Sequence, residues 1–113
     1  MAIGQEYALE TPNGVYALLS NIHYVRSAAV DKSDFDAINL LLDLEIARNK
    51  VASSTRQSEA MDYVFEEGLT QREAADRMGI SQQAVQQLVW AVINRIAEQY
   101  KADLNEVEGG MTA

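Results

Sequence analysis

The sequence predicts an all-α fold of about five helices, with a three-helix unit and a long last helix in its C-terminal half. Apolar residues recur at helical spacing over residues 15–100, which is typical of helices that each bury one face. Two capping boxes, Ser54 with Gln57 and Thr70 with Glu73, mark helix starts in the second half. Hydrophobic residues make up 48% of the 113 residues, enough for one domain with a single core.

The first half of the chain, residues 1–53, is interpreted as a helical segment for packing or oligomerisation. Residues 1–13 are expected to be irregular, and residues 11–14 are expected to form a turn or a helix start. The apolar spacing that begins at Val15 predicts a helix to Ala29, although Gly14 and the β-branched residues also permit a strand.

A second helix is predicted over 35–50, with Ser33 or Asp34 as its N-cap. Its apolar residues cover more than half of the helical circumference, which is typical of a helix that is buried on two sides. One side can pack on the C-terminal helices, and the other on the N-terminal segment or on a second copy of the chain. We therefore predict that Leu40 and Leu44 contact a partner, in a homodimer or a higher oligomer.

Three more helices are predicted in the second half of the chain. The capping box at Ser54 opens a helix over 56–67, which Gly68 ends. The capping box at Thr70 opens a short second helix, and a long third helix is predicted over 82–101.

These three helices form one unit over residues 54–101. Gly79 follows the short helix, where a left-handed residue is wanted, and Ile80 can fill the space between the last two helices. Ser81 then caps the long helix. Two short-linked helices with glycine in the turn are typical of a helix-turn-helix. The remaining residues, 102–113, are acidic and contain adjacent glycines, so we expect a disordered tail.

The first turns of the long helix are expected to meet base edges in the DNA major groove. Their exposed residues are glutamines, and a glutamine amide can bond both N6 and N7 of adenine, which predicts A·T-containing sites. The alternative interpretation is a solvated helix face. Phosphate contacts are predicted from helix-terminal amides, hydroxyls and guanidinium groups. The predicted DNA-binding residues are Thr70, Gln71, Arg72, Ser81, Gln82, Gln83, Gln86, Gln87 and Arg95.

Trp90 falls outside the apolar stripe of the long helix, on the side of Gln83 and Gln86. One interpretation is that it packs under the N-terminal helices of the same chain. The other is that it anchors a contact with a second copy or with RNA polymerase, because tryptophan is enriched in interface hot spots. On the second interpretation, Trp90 joins Leu40 and Leu44 as a partner-interface residue.

The net charge of −8 bears directly on nucleic-acid binding, because phosphate contacts favour a basic face. Residues 56–101 carry a net charge of −2, against −3 for residues 1–55 and −3 from residue 102 onward. We therefore expect the affinity of this chain alone for DNA to be weak and salt-sensitive. Dimerisation or a partner protein must add to it.

The sequence lacks the residues that several other classes of protein need. The chain has no cysteine and a single histidine, His23, which argues against a metal site. No serine lies in a nucleophile elbow and no glycine-rich phosphate loop is present, so we expect neither an enzyme nor a cofactor. The N-terminus lacks a signal-peptide pattern, and the longest apolar run, residues 88–93, is too short to cross a bilayer. The expected location is the cytoplasm, with no membrane partner.

The order of these signals over residues 54–100 resembles region 4 of the sigma-70 class. The likeness rests on STRQSEAM, then EEGLTQREAADRMGIS, then QQAVQQLVWAVINRIAEQY. The last helix of that family is rich in arginine and lysine, whereas this chain has glutamine there. Together with DFDAINLLLDLEIA, the segment also resembles small phage and prophage regulators of the ArpU type. The resemblance implies a DNA-binding transcription regulator from a phage or prophage, located in the bacterial host cell and acting alone or with host RNA polymerase.

Two other functions stay open on the sequence. Small terminase subunits, which recognise phage DNA and form rings, carry the same motif, and a widely apolar helix suits such an assembly. An adaptor that binds RNA polymerase without touching DNA is the other. The regulator is the function that the motif and the glutamine cluster favour.

Overall fold

The computed structural model describes the backbone of residues 7–112 and the side chains of residues 7–105. This part of the chain contains six α-helices and one π-helical turn, which confirms the all-α class and adds one helix to the predicted five. The elements are α1 (Pro12–Ser20), α2 (Ile22–Asp31), α3 (Phe35–Lys50), α4 (Thr55–Met61), the π-helical turn (Asp62–Glu66), α5 (Gln71–Met78) and α6 (Gln82–Thr112).

The first predicted helix is two helices, α1 and α2. Asn21 breaks it with φ −115° and ψ 20°, outside the α-helical range. Its Nδ2 donates to the Ala17 carbonyl at 2.9 Å, so the side chain competes with the backbone for helical hydrogen bonds. Thr11 caps α1, which begins at Pro12, within the predicted turn or helix start; residues 1–6 of the segment predicted to be irregular lie outside the described residues.

Helix α3 has the predicted bounds, and Asp34 is its N-cap, accepting from the Ala37 amide at 3.1 Å. Leu40 and Leu44, the predicted partner contacts, are each only 6% exposed and pack in the core of their own chain. The apolar side chains that α3 leaves exposed are on its opposite side.

The predicted helix over 56–67 is also divided. The capping box of Ser54 and Gln57 is confirmed, but regular α-helix ends at Met61 and the π-helical turn follows. Gly68 ends the turn with φ +73°, a conformation that glycine adopts without steric cost.

Helix α6 is the centre of the molecule, because α1, α3, α4 and α5 all pack against it while α2 packs on α3. One continuous cluster of buried side chains joins both halves of the chain. Its members on α6 are Val85, Val89, Val92, Ile93, Ile96 and Ala97.

The sequence predicted that the last helix ends near Lys101, but α6 continues to Thr112. The backbone of the predicted disordered tail is therefore helical as far as it is described. Asp103 supports the continuation, since its Oδ1 accepts from Gln99 Nε2 at 2.9 Å and lies 3.1 Å from Lys50 Nζ. No proline interrupts residues 102–112.

A second set of polar contacts fixes α2 to the π-helical turn. Arg26 donates two hydrogen bonds of 2.9 Å to the Glu66 carboxylate. His23 Nε2 lies 3.0 Å from the Glu66 carbonyl oxygen. The N-terminal helices are thus held in one place relative to the last three.

None of the helices within the described residues combines the length and the apolar character needed to span a membrane. The same residues contain no group of three or more His, Asp or Glu side chains arranged to hold a metal ion.

Candidate nucleic-acid interface

The turn between α5 and α6 has the geometry that the sequence predicted. Thr70 Oγ1 accepts from the Glu73 amide at 3.1 Å, and Glu73 Oε1 accepts from the Thr70 amide at 3.0 Å. Gly79 has φ +68° and ψ +33°, the left-handed conformation that lets the chain leave α5. Ser81 Oγ then accepts from the Ala84 amide at 3.0 Å and starts α6. Every one of these contacts is local.

Arg56 fastens α4 to this turn. Its Nη1 donates to the Met78 carbonyl at 3.3 Å, at the C-terminal end of α5, where a cation is favourable for the helix dipole. A shallow cleft of about 300 Å³ lies beside it and is lined in part by Ile80, Ala84 and Leu88. Arg56 therefore joins α4 to the end of α5, next to the turn that leads into α6.

The four glutamines of the first two turns of α6 are all exposed to solvent. Gln82, Gln83, Gln86 and Gln87 show no side-chain hydrogen bond to any part of the chain that the structure describes. Val85 and Val89, in the same turns, are fully buried. The helix thus holds its position by its apolar side and leaves the glutamine amides without competing partners.

Two predicted phosphate ligands have structural roles as caps. The Thr70 and Ser81 hydroxyl oxygens accept from the Glu73 and Ala84 amides, so each acts as a helix cap and keeps only its hydroxyl proton for another acceptor. Gln71 is half-buried. Phosphate contact at this helix start would rest mainly on the Arg72 guanidinium.

Arg72 is exposed and makes no ion pair with the residues whose side chains are described. Arg77, at the other end of α5, is exposed as well. Both are free to reach a phosphate group.

Arg95, in contrast, is bonded within the chain. Its Nη1 donates to the Ala52 carbonyl at 2.9 Å and to Gln57 Oε1 at 3.2 Å. The same Gln57 oxygen accepts from the Ser54 amide at 2.9 Å, so Arg95 ties α6 to the cap of α4. Arg95 is therefore a structural contact, which could not be predicted from the sequence because its partners lie far away in the chain.

Trp90 packs within its own chain. Its ring stacks on Tyr16 of α1, with centroids 5.1 Å apart and an angle of 13° between the planes. The side chain is half-buried, and α1 therefore covers the α6 surface directly after the glutamine cluster. The face of the Trp90 ring that stacks on Tyr16 is not free for the predicted partner contact.

Acidic side chains lie among the cations of this surface. Glu73 and Asp76 are exposed on α5 next to Arg72 and Arg77. Hydrogen bonds from the Thr70 backbone and hydroxyl lower the pKa of Glu73, and Arg77 adds to the effect, so Glu73 stays ionised at neutral pH. The interface is therefore close to electrically neutral, in agreement with the charge of the whole segment.

Sequence reasoning missed the contacts of Tyr16 and Arg56, which hold the two sides of the interface in place. Neither residue carries a local signal, since each acts on a partner in another helix. One role of Gln57 was predictable from the sequence, because it is the closing residue of a capping box.

The comparison with known families agrees with this geometry. Residues 54–98, somewhat under half of the chain, match the sequence model of the family described as Sigma-70, region 4. No curated protein sequence and no solved structure matched the chain. The match and the α5–turn–α6 geometry together indicate a DNA-binding helix-turn-helix, similar to sigma-70 region 4, over residues 54–98.

Proposed function

We propose that this chain is a phage-type transcription regulator that reads DNA with the first two turns of α6. The observation that carries the proposal is the set of four exposed glutamine amides on a helix whose start is fixed by Gly79 and Ser81. In a helix-turn-helix these turns enter the major groove. A glutamine can donate to N7 of adenine and accept from its N6 amino group, so A·T base pairs are the expected targets.

The charge of the interface limits how tightly the chain can bind alone. Arg72 and Arg77 are its free cations, and about two neutralised phosphates give a salt slope of roughly −2. Most of the affinity must then come from base contacts or from a second tether. Host RNA polymerase is the tether that we propose, because a bound partner raises the effective concentration of the regulator at a promoter. The likeness to sigma-70 region 4 supports this choice.

The test is a binding titration with DNA selected by the protein from a random pool, followed by fluorescence anisotropy. Replacing both Gln83 and Gln86 by Ala should weaken binding at least about ten-fold, because each good glutamine–adenine pair contributes roughly 1–3 kcal/mol. The matched control is Asn94→Ala, an exposed amide about 16 Å further along the same helix. Its affinity should equal that of the original protein.

Unchanged affinity in the Gln83→Ala, Gln86→Ala double variant, with the fold intact by circular dichroism, would refute base reading by α6. Equal losses in the double variant and in Asn94→Ala would also count against it, since they would place the DNA elsewhere on the helix.

The acidic surface favours one other candidate, an adaptor that binds RNA polymerase and never touches DNA. The net charge of −8 repels phosphate at any site outside the interface. The two functions separate at low salt, where the regulator binds DNA and the adaptor does not. Retention of the protein on immobilised polymerase without DNA would then identify the adaptor.

A further inference from the structure

The side of α3 that faces away from the core carries a row of apolar side chains, which we call the α3 stripe. It consists of Phe35, Ile38, Leu42 and Ile46, which follow one another at helical spacing and so share one face. Phe35 is 77% exposed, Leu42 50% and Ile46 52%, while Ile38 is half-buried. The spacing is close to that of the contact seam of a two-helix coiled coil.

The α3 stripe gathers much of the large apolar surface that the described side chains leave exposed. Val30, which is 78% exposed, lies at the end of α2 just before the stripe begins. Continuous apolar surface of this kind on a monomer usually marks an interaction site. Such surface costs free energy in water, and covering it recovers that cost.

The charges at the two ends of α3 indicate what covers the stripe. Asp34 and Asp36 lie at its N-terminal end, and Arg48 and Lys50 lie in its last turn. Two copies of α3 packed antiparallel bring each acidic end beside a basic end, whereas parallel packing brings like charges together. A two-fold interface needs this kind of self-complementarity, because the same surface serves both copies.

We propose that the α3 stripe is the interface of a two-fold dimer in which α3 packs antiparallel against α3 of a second copy. Leu42 lies near the centre of the stripe and is placed on the two-fold axis, where it meets itself. Ile38 then faces Ile46 of the second copy on either side of the axis. Asp36 lies on the same flank as Lys50 of the second copy, and Asp34 lies on the other flank with Arg48.

The proposed dimer competes with weak contacts inside the chain. Lys50 Nζ lies 3.1 Å from Asp103, and Arg48 lies 3.9 Å from Asp62, with both basic side chains partly exposed. Exposed ion pairs of this kind contribute little and can be exchanged or shared. Since α3 is only about 24 Å long, the area that the dimer buries falls below the 1,200–2,000 Å² of standard interfaces. We therefore expect a weak dimer, with a dissociation constant roughly in the micromolar range.

This inference does not depend on DNA binding by α6. If both are correct, the dimer carries two helix-turn-helix units, and the second set of base contacts adds to an affinity that the acidic charge limits.

The test is sedimentation velocity of the full chain from about 10 to 500 µM. The mass should rise with concentration from the 12.5 kDa monomer to twice that value. Leu42→Glu, which places two carboxylates on the axis, should raise the dissociation constant of the dimer at least about ten-fold. Leu104→Glu is the matched control, a 40% exposed leucine on α6, and should leave the dimer unchanged. A chain that stays monomeric throughout, or a dimer that Leu42→Glu does not weaken, overturns the proposal and assigns the stripe to another protein.

Cysteine variants test the packing without adding charge, and the chain has no cysteine of its own. Leu42→Cys should form a disulfide with itself in the second copy, because it lies on the axis. A mixture of Ile38→Cys and Ile46→Cys chains should give mixed dimers in preference to dimers of either one. Self-linking of Ile38→Cys, or no linking of Leu42→Cys, rules out the antiparallel dimer.

A charge exchange supplies an independent check. Asp36→Lys and Lys50→Asp should each weaken the dimer, and the chain that carries both substitutions should recover it, since the pair between copies is restored with its signs exchanged. A double variant as weak as the two single variants contradicts the proposed register.

Discussion

Trp90 of α6 stacks on Tyr16 of α1, with ring centroids 5.1 Å apart and 13° between the planes. Tyr16 also meets Phe65 edge-on, with centroids 6.1 Å apart and an angle of 79°. Because Gln86 lies one turn before Trp90 on the same side of α6, the stack is directly next to the glutamine cluster. It ends the exposed surface of α6 that we propose as the DNA contact.

Replacing Tyr16 by Ala should lower the free energy of unfolding by about 1–2 kcal/mol, because it removes both ring contacts. Tyr16→Phe keeps the rings and should lie within about 0.5 kcal/mol of the original protein. The measurement is urea unfolding followed by the fluorescence of Trp90, the single tryptophan of the chain. Equal stability of Tyr16→Ala and Tyr16→Phe would show that the stack contributes nothing.

Two glycines should respond to Ala substitution for different reasons. At Gly79, φ is +68° and no atom lies within 4 Å of an added Cβ, so the cost is backbone strain alone, about 1 kcal/mol. At Gly14 the added Cβ would collide with the Ala8 carbonyl oxygen, which is backbone and cannot move aside. Gly14→Ala should therefore cost more than Gly79→Ala, by roughly 1–3 kcal/mol.

The same unfolding assay tests this order. Gly79→Asn is the control, since asparagine tolerates the left-handed conformation better than alanine, and its loss should be the smallest of the three. A Gly79→Ala chain less stable than Gly14→Ala would reverse the order and contradict the assignment of strain and collision.

Arg72 and Arg95 should differ in what they do for DNA binding. Arg72→Ala should leave the free energy of unfolding unchanged within about 0.5 kcal/mol and reduce the salt slope of DNA binding by about 1. Arg95→Ala should do the opposite, because it breaks the hydrogen bonds to Ala52 and Gln57. Its expected cost in stability is about 1 kcal/mol, with the salt slope of DNA binding unchanged.

Salt titrations of DNA affinity and urea unfolding, run on both variants, separate the two roles. A reduced salt slope in Arg95→Ala would return that residue to the phosphate contacts that the sequence predicted.

Glu66 should make stability fall in acid. The two hydrogen bonds from Arg26 lower the pKa of Glu66 in the folded protein, so the folded state binds a proton less readily than the unfolded state does. The contribution is complete above the unfolded-state pKa, about 4.3, and is lost as the pH falls through the folded-state pKa. Both side chains are more than a third exposed, so solvent screening keeps it below about 1 kcal/mol.

Arg26→Ala should move the pKa of Glu66 upward, which a carboxyl NMR titration measures directly. Glu66→Gln serves as the control and should remove this part of the acid dependence. A Glu66 pKa that does not move in Arg26→Ala would assign the shift to another group.

The helix-turn-helix could be predicted from local sequence signals. The caps at Thr70 and Ser81 and the left-handed Gly79 use partners within a few residues, so their geometry follows from local chemistry. The bounds of α3 followed for the same reason, from an N-cap and an uninterrupted helical pattern. The glutamine cluster could be recognised in the sequence because the apolar residues of α6 recur at clear helical spacing.

Which side of each helix is exposed depends on how the helices pack, and this could not be predicted from the sequence. Leu40 and Leu44 are buried and Leu42 is exposed, although all three are leucines of one apolar helix, because α2 and α6 pack on α3 and leave the side of Leu42 uncovered. Trp90 has its ring partner in α1, and Arg95 has its acceptors 43 and 38 residues earlier in the chain, before and within α4. Such contacts depend on how the helices pack, and helical periodicity carries no record of the partner that covers a face.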